Sequence, residues 1–238
     1  MNESIGDNLE RIRAQIEASA SRAGRSAQEV TLVAVSKAHP PEAVGEAIAS
    51  GQLLFGENRV QEARAKIARL PGRARWHLIG HLQSNKVRQA LPLFERLHGI
   101  DSLEIAREVN RVAAELGLFP KVLLEVNVAG EGSKFGFGLE TIPAQMEELL
   151  ALERLEIDGL MAIPPFTPDA EASRPYFRAL RECRDRLAQA CRVPLPELSM
   201  GMSHDFPVAI EEGATFVRVG TSIFGTRKGK AWKPGGEA

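Results

Sequence analysis

The sequence is poor in cysteine and in aromatic residues. Its 238 residues include two cysteines, one tyrosine and two tryptophans, and aromatics make up only 5%. Two cysteines, Cys183 and Cys191, cannot build the disulfide framework that staples small secreted domains. If both lie on one helix they are about 12 Å apart at ~1.5 Å per residue, too far to bridge. Charge of either sign is not in excess. A balance of 30 basic against 31 acidic residues excludes a generally basic nucleic-acid binder. No apolar run approaches the roughly 20 residues of a membrane span. The N-terminal stretch MNESIGDNLERIRAQIEASA carries charge throughout and lacks the apolar core of a secretory leader. The expectation is a soluble, cytoplasmic, globular protein.

What is present is an alternation of two periods. Ile5, Leu9, Ile12 and Ile16 form one apolar helical stripe, closed near Gly24. Thr31-Leu-Val-Ala-Val-Ser36 is a short apolar run rich in β-branched residues, typical of a strand buried on both faces. Further strands are expected over 53–56, 75–80, 96–100, 121–128, 157–163, 197–200 and 215–220, each followed by a helix or helical turn. Strands alternating with helices predict a parallel sheet, and eight such units close into a single (β/α)8 barrel of the TIM type. A doubly wound open sheet is the alternative. It announces itself with a Gly-rich turn after the first strand, whereas here Lys37-Ala-His-Pro-Pro41 follows, without glycine. One barrel domain with its N-terminal helix is expected over 1–228, and a flexible Lys/Gly/Pro-rich tail over 229–238.

In such a barrel the C-terminal strand ends build the site, and three features stand there. Lys37 closes the first strand, and alternation puts Val33, Val35 and Lys37 on one face. If that face points inward, the amine sits among apolar walls, where desolvation frees a neutral amine for Schiff-base chemistry. A solvated lysine at a strand end is the plain alternative. Arg218 lies in Phe216-Val-Arg-Val-Gly220, among apolar neighbours. A guanidinium facing a barrel interior must find partners, either a carboxylate in a structural ion pair or a ligand atom. Gly220-Thr-Ser-Ile-Phe-Gly225 follows the last strand, and Ser199-Met-Gly-Met-Ser203 ends the strand before it. Backbone amides and hydroxyls in such loops suit a phosphate, whose usual place in this fold is after strands seven and eight. Elsewhere such stretches make ordinary turns. Together the amine, the arginine and the cradle fit a carbonyl ligand with a phosphate arm. Pyridoxal 5'-phosphate (PLP) is one, and the sugar phosphate of an aldolase is another.

Read in order, the chain carries Leu32-Val-Ala-Val-Ser-Lys37, Phe55-Gly-Glu-Asn58 with Gln61-Glu62, Trp76-His77, Ile79-Gly-His-Leu-Gln-Ser-Asn-Lys86 and Asp101-Ser102. Val126-Asn127, Lys134 with Gly136, Gly159-Leu-Met-Ala-Ile-Pro164, Leu198-Ser-Met-Gly-Met-Ser203 with Asp205, and Val217-Arg-Val-Gly-Thr-Ser-Ile-Phe-Gly225 follow. This series resembles the YggS/PROSC family of PLP homeostasis proteins, nearly end to end. The resemblance implies a single barrel, similar to the N-terminal domain of alanine racemase and usually monomeric. It implies that Lys37 forms the internal aldimine with PLP and that Arg218 faces the pyridine nitrogen. It further implies that Ser203, Gly220 and Thr221 hold the phosphate, that Asn58 lines the pocket and that Met200 lies close by. Phe135 and Phe137 around Gly136, and His204 with Phe206-Pro207 after Ser203, depart from the family pattern, so the resemblance carries over the cofactor but not the shape of the pocket rim.

The function so implied is to hold PLP and take part in intracellular vitamin B6 homeostasis, releasing the cofactor to apo-enzymes or limiting its free level. No strong catalysis is expected. An arginine at the ring nitrogen is a donor that does not deprotonate, so the nitrogen stays neutral and the ring is a weaker electron sink. Racemase relatives add a tyrosine from a second domain, and the single tyrosine here, Tyr176, reads as a packing residue of a long helix. The alternatives are a low-activity PLP-dependent amino-acid racemase, with Lys37 as its base, and a Schiff-base aldolase on sugar phosphates. His77 and His81 have helical metal-ligand spacing but fall on a strand end, so no metal is expected. Lys86 and Arg88 read as a solvated helix face, with a second PLP site or a partner surface as the alternative. The run Arg227, Lys228, Lys230 is too short to imply nucleic acid.

Overall fold

The structure, a computed structural model, describes residues 4–130 and 135–226. The tail expected over 229–238, and with it Lys134, Arg227, Lys228 and Lys230, lies outside the described residues. Helix α1 (Ile5–Arg22) opens with a capping box: Ser4 Oγ accepts the Asp7 amide and the Asp7 carboxylate accepts the Ser4 amide. Leu9, Ile12 and Ile16, the stripe read from the sequence, are its buried face.

The strands are β1 (Thr31–Val35), β2 (Leu54–Glu57), β3 (Arg75–Leu78), β4 (Arg96–Ile100), β5 (Lys121–Asn127), β6 (Phe137–Gly138), β7 (Glu156–Met161), β8 (Glu197–Met202) and β9 (Phe216–Val219). Between and after them run α2 (Pro41–Ala49), α3 (Val60–Ile67), α4 (Val87–Ala90), α5 (Leu103–Leu116), α6 (Ile142–Leu150), α7 (Arg174–Cys191), α8 (Phe206–Glu211) and α9 (Thr221–Phe224). All strand pairings are parallel. β1 to β5 pair in succession, β5 pairs with β7, β7 with β8, β8 with β9, and β9 returns to β1. Eight strands thus close on themselves, and the expected (β/α)8 barrel is what forms.

Strand alternation divides the apolar residues into two sets. Ala34, Trp76, Leu78, Leu97, Val122, Leu124, Val126, Leu198, Val217 and Val219 point outward and pack under the helices, among them Ile105, Val109 and Val112 of α5. Each such Val or Leu contributes about 1.5–3 kcal/mol by leaving water, so the outer layer holds the barrel together. Val33, Val35, Leu54, Ile79, Leu123, Met161 and Phe216 point inward as a separate, smaller cluster. The inward positions that remain carry His77, His98, Glu125, Ser199 and Arg218, which makes the interior polar toward its centre.

Three local features depart from the sequence reading. β6 is too short for any periodicity to show; it hangs on β5 through the pair Val126 and Phe137. β3 stops at Leu78 rather than 80, because Gly80 passes over Asn58 so closely that a Cβ there would stand 2.8 Å from the Asn58 carbonyl oxygen. The stretch after β9, read as a loop, contains the single turn α9. Cys183 and Cys191 both lie on α7 as free thiols, and Tyr176 on the same helix packs against the outer core.

Candidate functional site

Strand order brings the three sequence features together. β1 lies beside β9, with Ala34 opposite Val219, and β9 lies beside β8. Lys37, two residues past β1, therefore stands at the same rim as Gly220 and Ser203. The approach of the two loops is close: a Cβ on Gly220 would lie 3.1 Å from the Val35 carbonyl oxygen. The Ser203 hydroxyl accepts the Gly220 amide at 3.1 Å. The amides of Thr221 and Ser222, at the start of α9, have no acceptor among the described residues and complete a cluster of donors.

Ser203 reaches this position through a bulge. Between Ser199 and Met202 the register slips by one residue against β9, a device common at barrel rims. Gly201 takes φ +88, and any side chain there would sit 2.6 Å from the Ala209 Cβ. Asp205, buried at the start of α8, accepts the Met202 amide at 2.7 Å and fixes the loop. Met200 points the other way, into the outer core among Leu198 and the helices.

Arg218 faces the barrel interior and is 4% exposed. Its Nη1 donates to Ser199 Oγ at 2.5 Å and its Nη2 to the Ala162 carbonyl at 3.0 Å. No carboxylate pairs with it directly among the described residues; Glu125 and Asp205 act from further away. Burial pulls its pKa down to about 10, against the pull of those two carboxylates, so it remains a fixed cation at neutral pH. Beyond Ser199 the polar chain continues. Ser199 Oγ contacts His98 Nδ1 at 2.8 Å, and His98 Nε2 contacts His77 Nδ1 at 2.9 Å. Burial and the neighbouring arginines hold both imidazoles neutral: His77 falls to about 3, and His98 well below its ordinary range. Arg96 closes the lower end over the Phe216 ring and pairs with Asp158.

Across the mouth from Lys37, the Asp101 carboxylate bonds His81 Nδ1 at 2.6 Å, and the His81 ring stacks on Phe135 with centroids 4.2 Å apart. Glu125 shares this side; burial first, then the Asp101 charge, pushes its carboxyl up, against the pull of Arg218. His77 and His81 thus go to different partners. The Asn58 Oδ1 is buried and has no hydrogen-bond partner among the described residues. Lys86 ends the short turn before α4 and makes no side-chain capping bond to that helix, and Arg88 pairs with Glu115.

A primary amine, a fixed guanidinium and a cradle of amides and hydroxyls thus stand on three neighbouring strands. The family model of the alanine racemase N-terminal domain matches residues 8–228. The chain is 44% identical over 223 residues to the pyridoxal phosphate homeostasis protein of Aquifex aeolicus, spanning 93% of this chain and 98% of the relative. It belongs to that family.

The homeostasis proteins of Pseudomonas aeruginosa and Escherichia coli K12 match at 44% and 43%, each over 94% of this chain. PipY of Synechococcus elongatus, solved with PLP bound, superposes with a TM-score of 0.82 at 42% identity, covering 93% of this chain and all of PipY. Alanine racemase of Clostridium difficile, at 16% identity and a TM-score of 0.70, shares the barrel over 59% of its own length. Family membership and the parallel closed barrel agree with the resemblance read from the motifs. Of the residues singled out there, the structure gathers Lys37, Ser203, Arg218, Gly220 and Thr221, with Asn58 on the neighbouring strand. It leaves the Met200 side chain outside. Sequence reasoning missed Ser199, His98 and Glu125, because only a closed barrel brings the inward faces of β8, β4 and β5 to one axis.

Proposed function

We propose that this protein binds PLP through Lys37 and buffers the free cofactor, a reading supported by relatives named pyridoxal phosphate homeostasis protein and by PipY, solved with PLP bound. PLP supplies an aldehyde that condenses with a primary amine and a phosphate that needs an anion cradle. Lys37 provides the amine. The Thr221 and Ser222 amides at the start of α9, the Thr221 side chain and the Ser203 hydroxyl hold the phosphate, while the Gly220 amide, bonded to Ser203 Oγ, fixes that hydroxyl beside them. Arg218 stands below them as a donor to the ring nitrogen, and Asn58, just past β2, lines the pocket wall. Arg218 keeps its proton, so it orients the ring without protonating it, and strong carbanion chemistry is not expected. The reading rests on one observation: the amine, the guanidinium and the cradle lie on β1, β9 and β8, adjacent in space. Release to apo-enzymes, a monomeric state and a cytoplasmic place belong to the same proposal. Among the described residues, no helix is long and apolar enough to cross a membrane.

Borohydride reduction of the purified protein with PLP, followed by peptide mass spectrometry, tests it. A phosphopyridoxyl mark on the Lys37 peptide, absent in Lys37→Ala, is the expected result. Marks scattered over surface lysines would overturn the assignment. A second reading, slow amino-acid racemisation, draws support from the His81–Asp101 pair, an imidazole hydrogen-bonded to a carboxylate in the mouth. Exchange of an amino acid's α-proton into deuterated water, lost in His81→Phe, would establish it.

A further inference from the structure

The supports of Lys37 form a cluster that the proposed function does not use. Lys66 on α3 is a lysine with no exposed surface. Its ammonium donates to Glu57 Oε1 at 2.6 Å, to Glu62 Oε1 at 2.7 Å and to the Ser36 carbonyl at 2.7 Å. The Ser36 hydroxyl donates to the same Glu57 oxygen at 2.7 Å. Glu62 Oε1 also accepts the Ala38 amide at 2.5 Å. Both neighbours of Lys37 in the chain are therefore tied to one buried cluster: Ser36 by carbonyl and hydroxyl, Ala38 by its amide. Ala38 carries φ +65, a left-handed conformation that residues with a Cβ rarely adopt and that persists only where the surroundings impose it. The His39 amide closes the turn onto the Ser36 carbonyl at 3.0 Å.

Stability alone does not account for this arrangement. Three ionisable groups buried together gain little over well-packed apolar residues, because desolvation offsets their attraction. What the cluster does provide is geometry. If the Ala38 amide lost its acceptor, the backbone would relax to negative φ, and the Lys37 side chain would turn with it. We propose that the buried Glu57–Lys66–Glu62 cluster positions the Lys37 amine, with Glu62 as the residue that holds the left-handed turn. The inference rests on Lys37 being the lysine that PLP marks. Lys66, Glu57 and Glu62 are positioning residues: they act through the peptides on either side of Lys37.

The test compares Glu62→Ala, Glu62→Gln and, as a control for stability alone, Val109→Ala in the outer core. Two measurements are made on the full chain: the PLP concentration that half-saturates the borohydride-trapped mark at Lys37, and competitive acetylation of Lys37 in the PLP-free protein. Glu62→Ala is expected to raise the half-saturating concentration about tenfold, the size expected when a buried donor loses its acceptor, and to change Lys37 acetylation relative to the other lysines. Glu62→Gln keeps an oxygen for the Ala38 amide and should stay within about threefold of wild type. Val109→Ala should match wild type in both measurements. Wild-type values in folded Glu62→Ala, or a loss in Val109→Ala as large as in Glu62→Ala, would overturn the proposal. If Glu62→Ala does not fold, Ala38→Pro carries the test, since proline removes the amide and fixes φ negative. The same loss supports the proposal, and unchanged PLP binding overturns it. An unmarked Lys37 in the wild type would instead remove the reading on which the proposal rests.

Discussion

The Ser203 hydroxyl and the Gly220 amide meet at 3.1 Å, joining the loop after β8 to the loop after β9. This bond makes one cradle out of two loops. It uses only one lone pair of the hydroxyl, whose proton stays available to an anion. Ser203→Ala removes both roles. The expected outcome is a PLP affinity about tenfold weaker, with Lys37 still marked at saturating PLP. Titration of PLP against the trapped mark checks this, and added inorganic phosphate should compete less well against the variant than against wild type.

Arg218 separates function from stability. Its guanidinium is buried and no carboxylate among the described residues pairs with it directly, so Arg218→Met exchanges a desolvated charge for apolar volume. Replacement of buried charges in this way is often neutral or stabilising, while Ser199 and the Ala162 carbonyl each lose a donor at about 1–3 kcal/mol. Melting temperature should shift by only a few degrees, on the order of that small net change. PLP affinity should fall by about tenfold or more. Calorimetry and the trapping titration read the two effects independently.

The buried imidazoles set an acid limit. His77 is held neutral with a folded-state pKa of about 3 against an ordinary 6.5, mainly by burial, and His98 shifts in the same direction. A depressed folded pKa means the contribution to stability is whole above the unfolded value. It is lost as pH falls from about 6.5 toward 3. Each such histidine costs about 1.4 kcal/mol per pH unit once the unfolded chain is protonated. Urea unfolding at pH 7, 6 and 5 should show this slope, and His77→Asn, which keeps an acceptor for His98, should flatten it by about one proton.

Gly201 is fixed by its surroundings. At φ +88, with Ala209 Cβ 2.6 Å from where a Cβ would stand, Gly201→Ala combines backbone strain with overpacking. The expected loss is about 2–4 kcal/mol, accompanied by weaker PLP binding, because the bulge that aims Ser203 is the segment displaced. Gly45, in the middle of α2 with nothing within 4 Å of a Cβ, is the contrasting site. Gly45→Ala should stabilise by about 0.5–1 kcal/mol. Chemical denaturation of the two variants side by side decides whether position or glycine loss governs the effect.

Much of this protein was legible in its sequence. Apolar runs of β-branched residues separated by helical stripes specify buried parallel strands, because each run must be covered on both faces. Eight of them specify a closed barrel. Lys37, Arg218, Ser203 and Gly220 stood out because charge and small polar residues at strand ends conflict with the apolar pattern around them. What the sequence could not determine is which side chains meet at the barrel axis. The contact of Ser199 with Arg218 and His98, and of His98 with His77, joins strands far apart in the chain through inward positions that any alternating pattern would allow. The same holds for the seat of Lys37. Glu57 and Glu62 stood among the motifs, but nothing in the sequence put them or Lys66 beside Lys37, and only when α3 packs against β1 and β2 does burial force them onto one another and onto the backbone at Ser36 and Ala38. Local patterning set the elements and their order. Closure of the barrel, which fixes distances between residues remote in sequence, decided the site.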